Sequence, residues 1–291
     1  MKVIHDLNEI YAQIDFVRRD ARRIGLVPTM GALHAGHLSL LQRAKKECDV
    51  AVATIFVNPM QFGQNEDLTK YPRTLESDLG SLCEQECDFV FVPPSDRVYN
   101  SGHTTFVEPP SIARRWEGEF RPGHFRGVAT ILLKLFQLIP AHVAYFGRKD
   151  YQQMAVVRAM VDELNVPIRI EACETVREPD GLAMSSRNRY LSEVDRVRAV
   201  GLWRALCCAQ SRLAANEITS ASLEAAMRDE LTKARVDSID YVAIVHPVTM
   251  EPVDVVDESA VAIIAARVGS TRLIDNMTIM AKESHPTQGT E

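Results

Sequence analysis

The sequence predicts an α/β fold in which a parallel sheet wrapped by helices is followed by a smaller α+β domain. Three observations carry that prediction. Short, continuously apolar runs alternate with amphipathic stretches up to residue 176, which is how strands buried on both faces and their crossover helices read. The polar, Gly- and Pro-containing string REPDGLAMSSRN then breaks the pattern, and a long amphipathic stretch and two further apolar runs follow it. With 291 residues the chain exceeds the usual size of one domain, so two are expected, at 1–178 and 179–291.

In chain order, the expected strands of the first domain are IGLVPTM (24–30), VAVATIFV (50–57), DFVFVPP (88–94), HVAYFG (142–147) and IRIEACETV (168–176). Between them, leucines, valines and alanines at helical spacing predict helices near 37–47, 74–86, 124–139 and 150–165. In the second domain a helix is expected over 192–215, with Ser192 and Asp195 forming its N-terminus, and another over 222–234. SIDYVAIVHPV and AVAIIAARV can pair as strands, and the last ten residues, KESHPTQGTE, read as a loose tail. No internal repeat interrupts this order.

Composition narrows the function. The apolar fraction of 46% suits a globular core, and a formal charge of −6 without any basic run lacks the footprint of a nucleic-acid binder. A small-molecule partner is expected. The N-terminus carries Asp6 and Glu9 where a signal peptide would be apolar, and the most apolar later run contains Lys134 and Gln137. A soluble cytoplasmic protein without a membrane partner is therefore expected. The six cysteines form no CxxC pair and read as free thiols, Cys83 and Cys87 sharing a buried helix face by their spacing.

Five segments carry candidate chemistry. GALHAGH follows the first strand, placing His34 and His37 where ligands bind in parallel sheets; Gly31 and Gly36 admit close approach, and free N–H groups with the helix dipole favour phosphate. GRKDYQQ (147–153) repeats that topology, with Lys149 as a point charge and Gln153 as an amide in the first helical turn. In DGLAMSSRN (180–188), Ser185, Ser186 and Arg187 can grip a triphosphate. Asn58 and Gln61, in FVNPMQFG, suit a hydroxyl-bearing substrate beside the apolar Met60 and Phe62. Finally, FRPGHFRGV sets Arg121, His124 and Arg126 before a helix, either for another anion or for local pairing. Each segment alone also has an ordinary structural reading as a cap, a solvated ion pair, a linker or a turn.

Taken together, HAGH, FVNPMQF, YPRT, FRPGHFRGV, GxKDYQQ and DGLAMSSRN, in this order and spacing, resemble the pantothenate synthetase (pantoate–β-alanine ligase) family across nearly the whole chain. HAGH is similar to the HIGH signature of the wider nucleotidylyltransferase superfamily, and MSSRN to its KMSKS loop with Arg187 in place of the second lysine. The resemblance implies a Rossmann-like N-terminal domain, a C-terminal lid domain and a homodimer. It implies ATP as co-substrate with Mg2+ assisting: (R)-pantoate forms pantoyl adenylate and pyrophosphate, and β-alanine then releases pantothenate and AMP.

By motif, the resemblance assigns ATP contacts to Met30, Gly31, Ala32, Leu33, His34, Ala35, Gly36 and His37, to Gly147, Arg148, Lys149 and Asp150, and to Val176, Met184, Ser185, Ser186 and Arg187. Catalytic roles fall to His37, His34, Lys149 and Arg187, and substrate contacts to Gln61, Gln153, Asn58 and Arg121. Two departures stand out: Arg148 replaces a common Glu, and Glu76-Ser77-Asp78 is a thinner acidic cluster than in some relatives, leaving protein ligands of the metal unassigned. Against an adenylyltransferase acting on an acceptor phosphate, the Asn58 and Gln61 pair and the second domain favour a hydroxy acid. A tRNA-charging enzyme would need a basic region, and a non-catalytic nucleotide sensor would not need both histidines, Lys149 and Arg187.

Overall fold

The computed structural model describes residues 1–64 and 66–281, and the expected tail at 282–291 lies outside the described residues. Two compact units divide the chain: Met1–Arg177 with Met184–Ser186, and Glu178–Ala183 with the described residues from Arg187 onward.

The first unit runs β1 (Lys2–Ile4), α1 (Leu7–Arg19), β2 (Ile24–Thr29), α2 (Ala35–Glu47), β3 (Val50–Ile55), α3 (Leu75–Glu84) and β4 (Phe89–Phe91). It continues through two single-turn helices, α4 (Ser95–Val98) and α5 (Glu117–Phe120), to α6 (His124–Leu138), β5 (Val143–Gly147), α7 (Tyr151–Glu163) and β6 (Arg169–Cys173). The six strands form one parallel sheet in the order β1-β4-β3-β2-β5-β6. This is the α/β parallel sheet predicted from the alternating pattern, and the Rossmann-like domain that the resemblance implies.

Alternate strand residues face opposite helical layers, as the pleat requires. Ile24, Leu26, Val50, Val52, Ala144 and Phe146 pack with α1, α6 and α7, whereas Val27, Ala51, Ala53, Val143 and Tyr145 pack with α2 and α3. Both faces are apolar, which is why the strands read as unbroken hydrophobic runs.

The strand order reverses between β2 and β5, the place where open α/β sheets bind ligands. There the ladder is short. β2 pairs with β3 over six positions, Ile24↔Val50 to Thr29↔Ile55, but with β5 only at Gly25↔Val143 and Leu26↔Ala144. Beyond Leu26 and Ala144 the two strands run on to Thr29 and Gly147 without pairing each other. Pro28, which has no N–H to donate, falls in this stretch.

The second unit holds α8 (Glu193–Ala199), α9 (Gly201–Ala214), α10 (Ser220–Lys233) and an antiparallel sheet β7 (Ser238–Val245), β8 (Ser259–Val268), β9 (Thr271–Met280). Leu202, Leu206, Leu223 and Met227 from the helices pack on Val242, Ile244, Ala262 and Ile264. Ser192 caps α8 by accepting from the Asp195 amide at 3.1 Å, as its sequence suggests. The single helix expected over 192–215 is instead two, meeting at Val200, and the two expected strands are joined by a third. All six cysteines are free, but α3 ends before Cys87, so the exposed Cys83 and the buried Cys87 do not share a helix face.

Candidate active site

The turn from β2 into α2 presents the two histidines through their own backbone. His34 is the N-cap of α2, and its Nδ1 accepts from Gly36 N at 3.1 Å; His37 Nδ1 accepts from His34 N at 3.4 Å. The rings lie 4.1 Å apart between centroids. With Nδ1 accepting, the neutral form of either imidazole carries its proton on Nε2, which remains as a donor. Burial, and then the Lys149 ammonium, pushes the His37 pKa down to about 4, keeping that ring neutral at pH 7.

This arrangement corrects the expectation of free backbone donors. The amides of His34 and Gly36 are taken by the imidazoles, and those of His37 and Leu38 by the His34 carbonyl at 2.8 and 3.1 Å. Ala32 N and Leu33 N donate to Asp78 at 2.9 and 2.8 Å. Of the turn's amides, those of Ala32, Leu33, His34, Gly36, His37 and Leu38 are thus engaged within the protein.

Gly31 and Ala32 both have positive φ, +80° and +51°, a strained choice for Ala32. Both polar atoms of Ala32 are held: its N–H by Asp78 and its carbonyl by the buried Ser186 hydroxyl, which donates at 2.9 Å. The Met184–Ser186 segment is thus tied, within the first unit, to the turn that leads into HAGH. Met184 N donates to Val176 O at 3.0 Å, and Ser185 is half-buried beside them in sequence. Arg187 belongs to the second unit.

On the β5 side, Gly147 closes the strand and Arg148–Asp150 forms one 3-10 turn leading into α7. Lys149 is half-buried and electrostatically coupled to His37. Arg148 pairs with Glu174 at 3.0 Å, and the exposed Asp150 occupies the N-cap of α7 without a capping hydrogen bond. The adjacent glutamines of α7 divide their roles. Gln152 is buried, accepting from Glu117 N at 3.0 Å and donating to Ile112 O and Arg115 O at 2.9 Å each. Gln153 is half-buried, and its amide has no protein partner among the described residues.

Gln61 closes a 3-10 turn, Pro59–Gln61, that follows β3. Its Nε2 donates to Met30 Sδ at 3.0 Å, linking it to the end of β2, and its Oε1 accepts from Asn58 Nδ2 at 3.0 Å. One donor and one acceptor position of the amide remain. Asn58 is 1% exposed: its Nδ2 also donates to Gly127 O at 3.1 Å, and its Oδ1 accepts from Tyr99 Oη and Met60 N at 2.9 and 3.3 Å. Its amide is spent within the protein, so it braces Gln61 instead of facing a ligand. Gly127 of α6 is required beneath this turn, because a Cβ there would lie 2.2 Å from Met60 O.

Arg121, His124 and Arg126 do not converge on an anion. Arg121 makes two 2.7 Å bonds to Glu66, lies 3.6 Å from Glu117 and donates to Gln61 O at 3.4 Å. Buried His124 donates from Nδ1 to Gln61 O at 2.9 Å and accepts from Arg121 at Nε2, 3.1 Å away. Burial and then the Arg121 charge push its pKa down to about 4. Burial raises the Glu66 pKa, but its bonds to Arg121 outweigh this and leave it lowered. Arg126 stacks on Phe106 at 4.2 Å and faces Glu108 at 3.4 Å. Asp78, Gln152, Glu117 and Tyr99 are supports that residue types and spacing do not single out. Each is defined by partners distant in sequence.

Comparison with known proteins gives a consistent result. A family model described as Pantoate-beta-alanine ligase matches residues 2–278. The chain is 48% identical over 282 residues to the pantothenate synthetase of Rhodopirellula baltica, covering 94% of this chain and 99% of that one. Its likeness to the Koribacter versatilis pantothenate synthetase is 45%, covering 97% of each chain. Among solved structures, pantothenate synthetase from Thermus thermophilus superposes with a TM-score of 0.90 at 42% identity, covering 95% of this chain and 99% of that one. The pantoate-beta-alanine ligase of Francisella tularensis, complexed with beta-gamma ATP and beta-alanine, gives 0.80 at 31%, covering 95% and 97%.

Proposed function

The chain belongs to the pantoate–β-alanine ligase family, and on that premise we propose how its residues join the two substrates at the expense of ATP. It is a pantothenate-forming ligase. The observation that carries the mechanism is the pair of imidazoles, each accepting at Nδ1, where β2 and β5 part, with neutral His37 beside Lys149.

ATP lies at this switch point with its phosphates toward the His34 and His37 Nε2–H donors and the Lys149 ammonium. A pantoate carboxylate oxygen attacks the α-phosphorus, the bond to the β,γ-phosphates breaks, and pyrophosphate leaves. Charge developing on the phosphate oxygens meets donors already oriented by the helix, so little reorganisation is needed. Gln61 and Gln153 use their remaining amide positions for the pantoate hydroxyls, which fixes the carboxylate for in-line attack. The β-alanine amine then attacks the acyl carbon of pantoyl adenylate, AMP departs, and the amine proton passes to solvent.

Asn58 and Arg121, with His124, are assigned as positioning residues that hold Gln61. The nucleotide contacts run from Met30 to His37 and Gly147 to Asp150 and include Val176, Met184, Ser185, Ser186 and Arg187. ATP and pantoate bind on the first unit, Met1–Arg177 with Met184–Ser186, and the second unit acts as a lid carrying Arg187 to the phosphates. Mg2+ arrives on those phosphates as part of the substrate: among the described residues no cluster of three metal-binding side chains occurs, and both Asp78 oxygens accept from backbone amides. A cytoplasmic homodimer completes the reading on the family resemblance; no described helix is long and apolar enough to cross a membrane.

The test is product identity. Incubated with ATP, pantoate, β-alanine and Mg2+, the protein should form pantothenate, AMP and pyrophosphate in equal amounts; formation of ADP and phosphate instead would reject the adenylate route.

A further inference from the structure

The buried Asp78 carboxylate lies under the turn that carries both histidines. It is 3% exposed and comes from the first turn of α3, more than forty residues away in sequence. Its Oδ2 accepts from Ala32 N at 2.9 Å, its Oδ1 from Leu33 N at 2.8 Å, and the Thr74 hydroxyl lies 3.2 Å from each oxygen. The amides it engages belong to the segment with consecutive left-handed residues, Gly31 and Ala32, immediately before the N-cap His34.

A carboxylate accepting two backbone N–H groups in fork geometry fixes the orientation of that peptide segment, and charge-assisted bonds in a buried setting are among the stronger ones. Among the described residues, Asp78 is the side chain that holds the Ala32 and Leu33 N–H groups on which the left-handed turn depends. From this geometry we propose that Asp78 is a positioning residue for adenylate formation: by clamping Ala32 and Leu33 it sets the His34 and His37 donors against the phosphates. It is not a metal ligand. The inference rests on the adenylation reading of the site.

The consequences differ from those of a metal ligand or a general structural prop. Asp78→Asn keeps the shape but turns an NH2 toward one of the two amides, so the turn loses an acceptor and gains a clash of donors. Adenylation should fall by about 10-fold or more, since small misplacements of catalytic groups carry losses of that order. Attack of β-alanine on supplied pantoyl adenylate should stay within about 2-fold of wild type, and the Mg2+ concentration giving half-maximal adenylation should not move. Thr74→Val, which removes only the hydroxyl that orients the carboxylate, should show the same split in milder form and serves if Asp78→Asn folds poorly.

Measurement of pyrophosphate release without amine, adenylate discharge and Mg2+ titration on wild type and both variants decides the matter. A shift of Mg2+ dependence with rescue at high Mg2+ would make Asp78 a ligand and overturn the proposal. Equal loss of both half-reactions, or no loss in either, would overturn it as well. Should wild type itself release no pyrophosphate without amine, the adenylation reading fails before the variants are compared.

Discussion

His37 and His124 titrate near 4 for the same leading reason, burial, reinforced by a cation: Lys149 beside one, Arg121 beside the other. Neutral rings are what the hydrogen bonds demand, since one nitrogen of each accepts. For His124 the folded pKa of about 4 lies below the ordinary 6.5, so the unfolded chain binds the extra proton between those values. That stabilising contribution is complete above pH 6.5 and is lost as pH falls toward 4. It amounts to about 3 kcal/mol. Denaturant titrations from pH 7 to 4 should therefore show stability falling, with a shallower fall in His124→Asn; parallel profiles would contradict the burial argument. At the catalytic pair, removing either Nε2–H donor by His34→Ala or His37→Ala should lower adenylate formation by about 10²-fold, as loss of an oxyanion-type donor does. Near-normal pyrophosphate release by both would remove the assignment. Residue types and spacing made the histidines, Lys149 and Gln61 legible in the sequence. The supporting roles of Asp78, which the sequence offered only within an acidic cluster weighed for the metal, and of Gln152 were not legible, because a buried acid or amide shows its role only once its distant partners are known.

Elements were readable where their pattern was pure. The strands of the first sheet are apolar on both faces and stand out. The three-residue β1 is too short to show a period, and β9 hides its alternation by burying the polar Thr271, Asp275 and Asn276. α1, absent from the expected helices, does carry local signals: an Asp6 cap accepting from Asn8 and Glu9 amides, and Ile10, Ile14 and Val17 on one buried face. The contact between α6 and the Pro59–Gln61 turn makes a prediction at this scale. Gly127→Ala would drive a methyl into Met60 O and Gln61 N and push the turn off α6. Overpacking of this kind costs about 1 to 3 kcal/mol. Because Gln61 rides on the turn, the KM for pantoate should rise several-fold more than that for ATP; an equal change in both would separate Gln61 from pantoate.

Across the whole molecule, order of reaction and closure become linked. The polar break after Val176 was visible in the sequence, but the interleaving of units was not: Met184–Ser186 belongs with the first unit while Glu178–Ala183 and the residues from Arg187 belong with the second. That alternation follows from tertiary bonds such as Ser186 Oγ to Ala32 O, which no local pattern encodes. A lid role for the second unit predicts that backbone amides from Gly181 to Asn188 exchange more slowly with ATP and pantoate present than without them. Unchanged exchange would refute the closure. The central claim is that the imidazoles, Lys149 and the two glutamines first build an acyl adenylate, with the amine acting only afterwards. Rapid mixing of the enzyme with ATP, pantoate and Mg2+ but no β-alanine tests it most directly. The account predicts a burst of pyrophosphate approaching one per active site, discharged to pantothenate and AMP when β-alanine is added; pyrophosphate appearing only once β-alanine is present would contradict it.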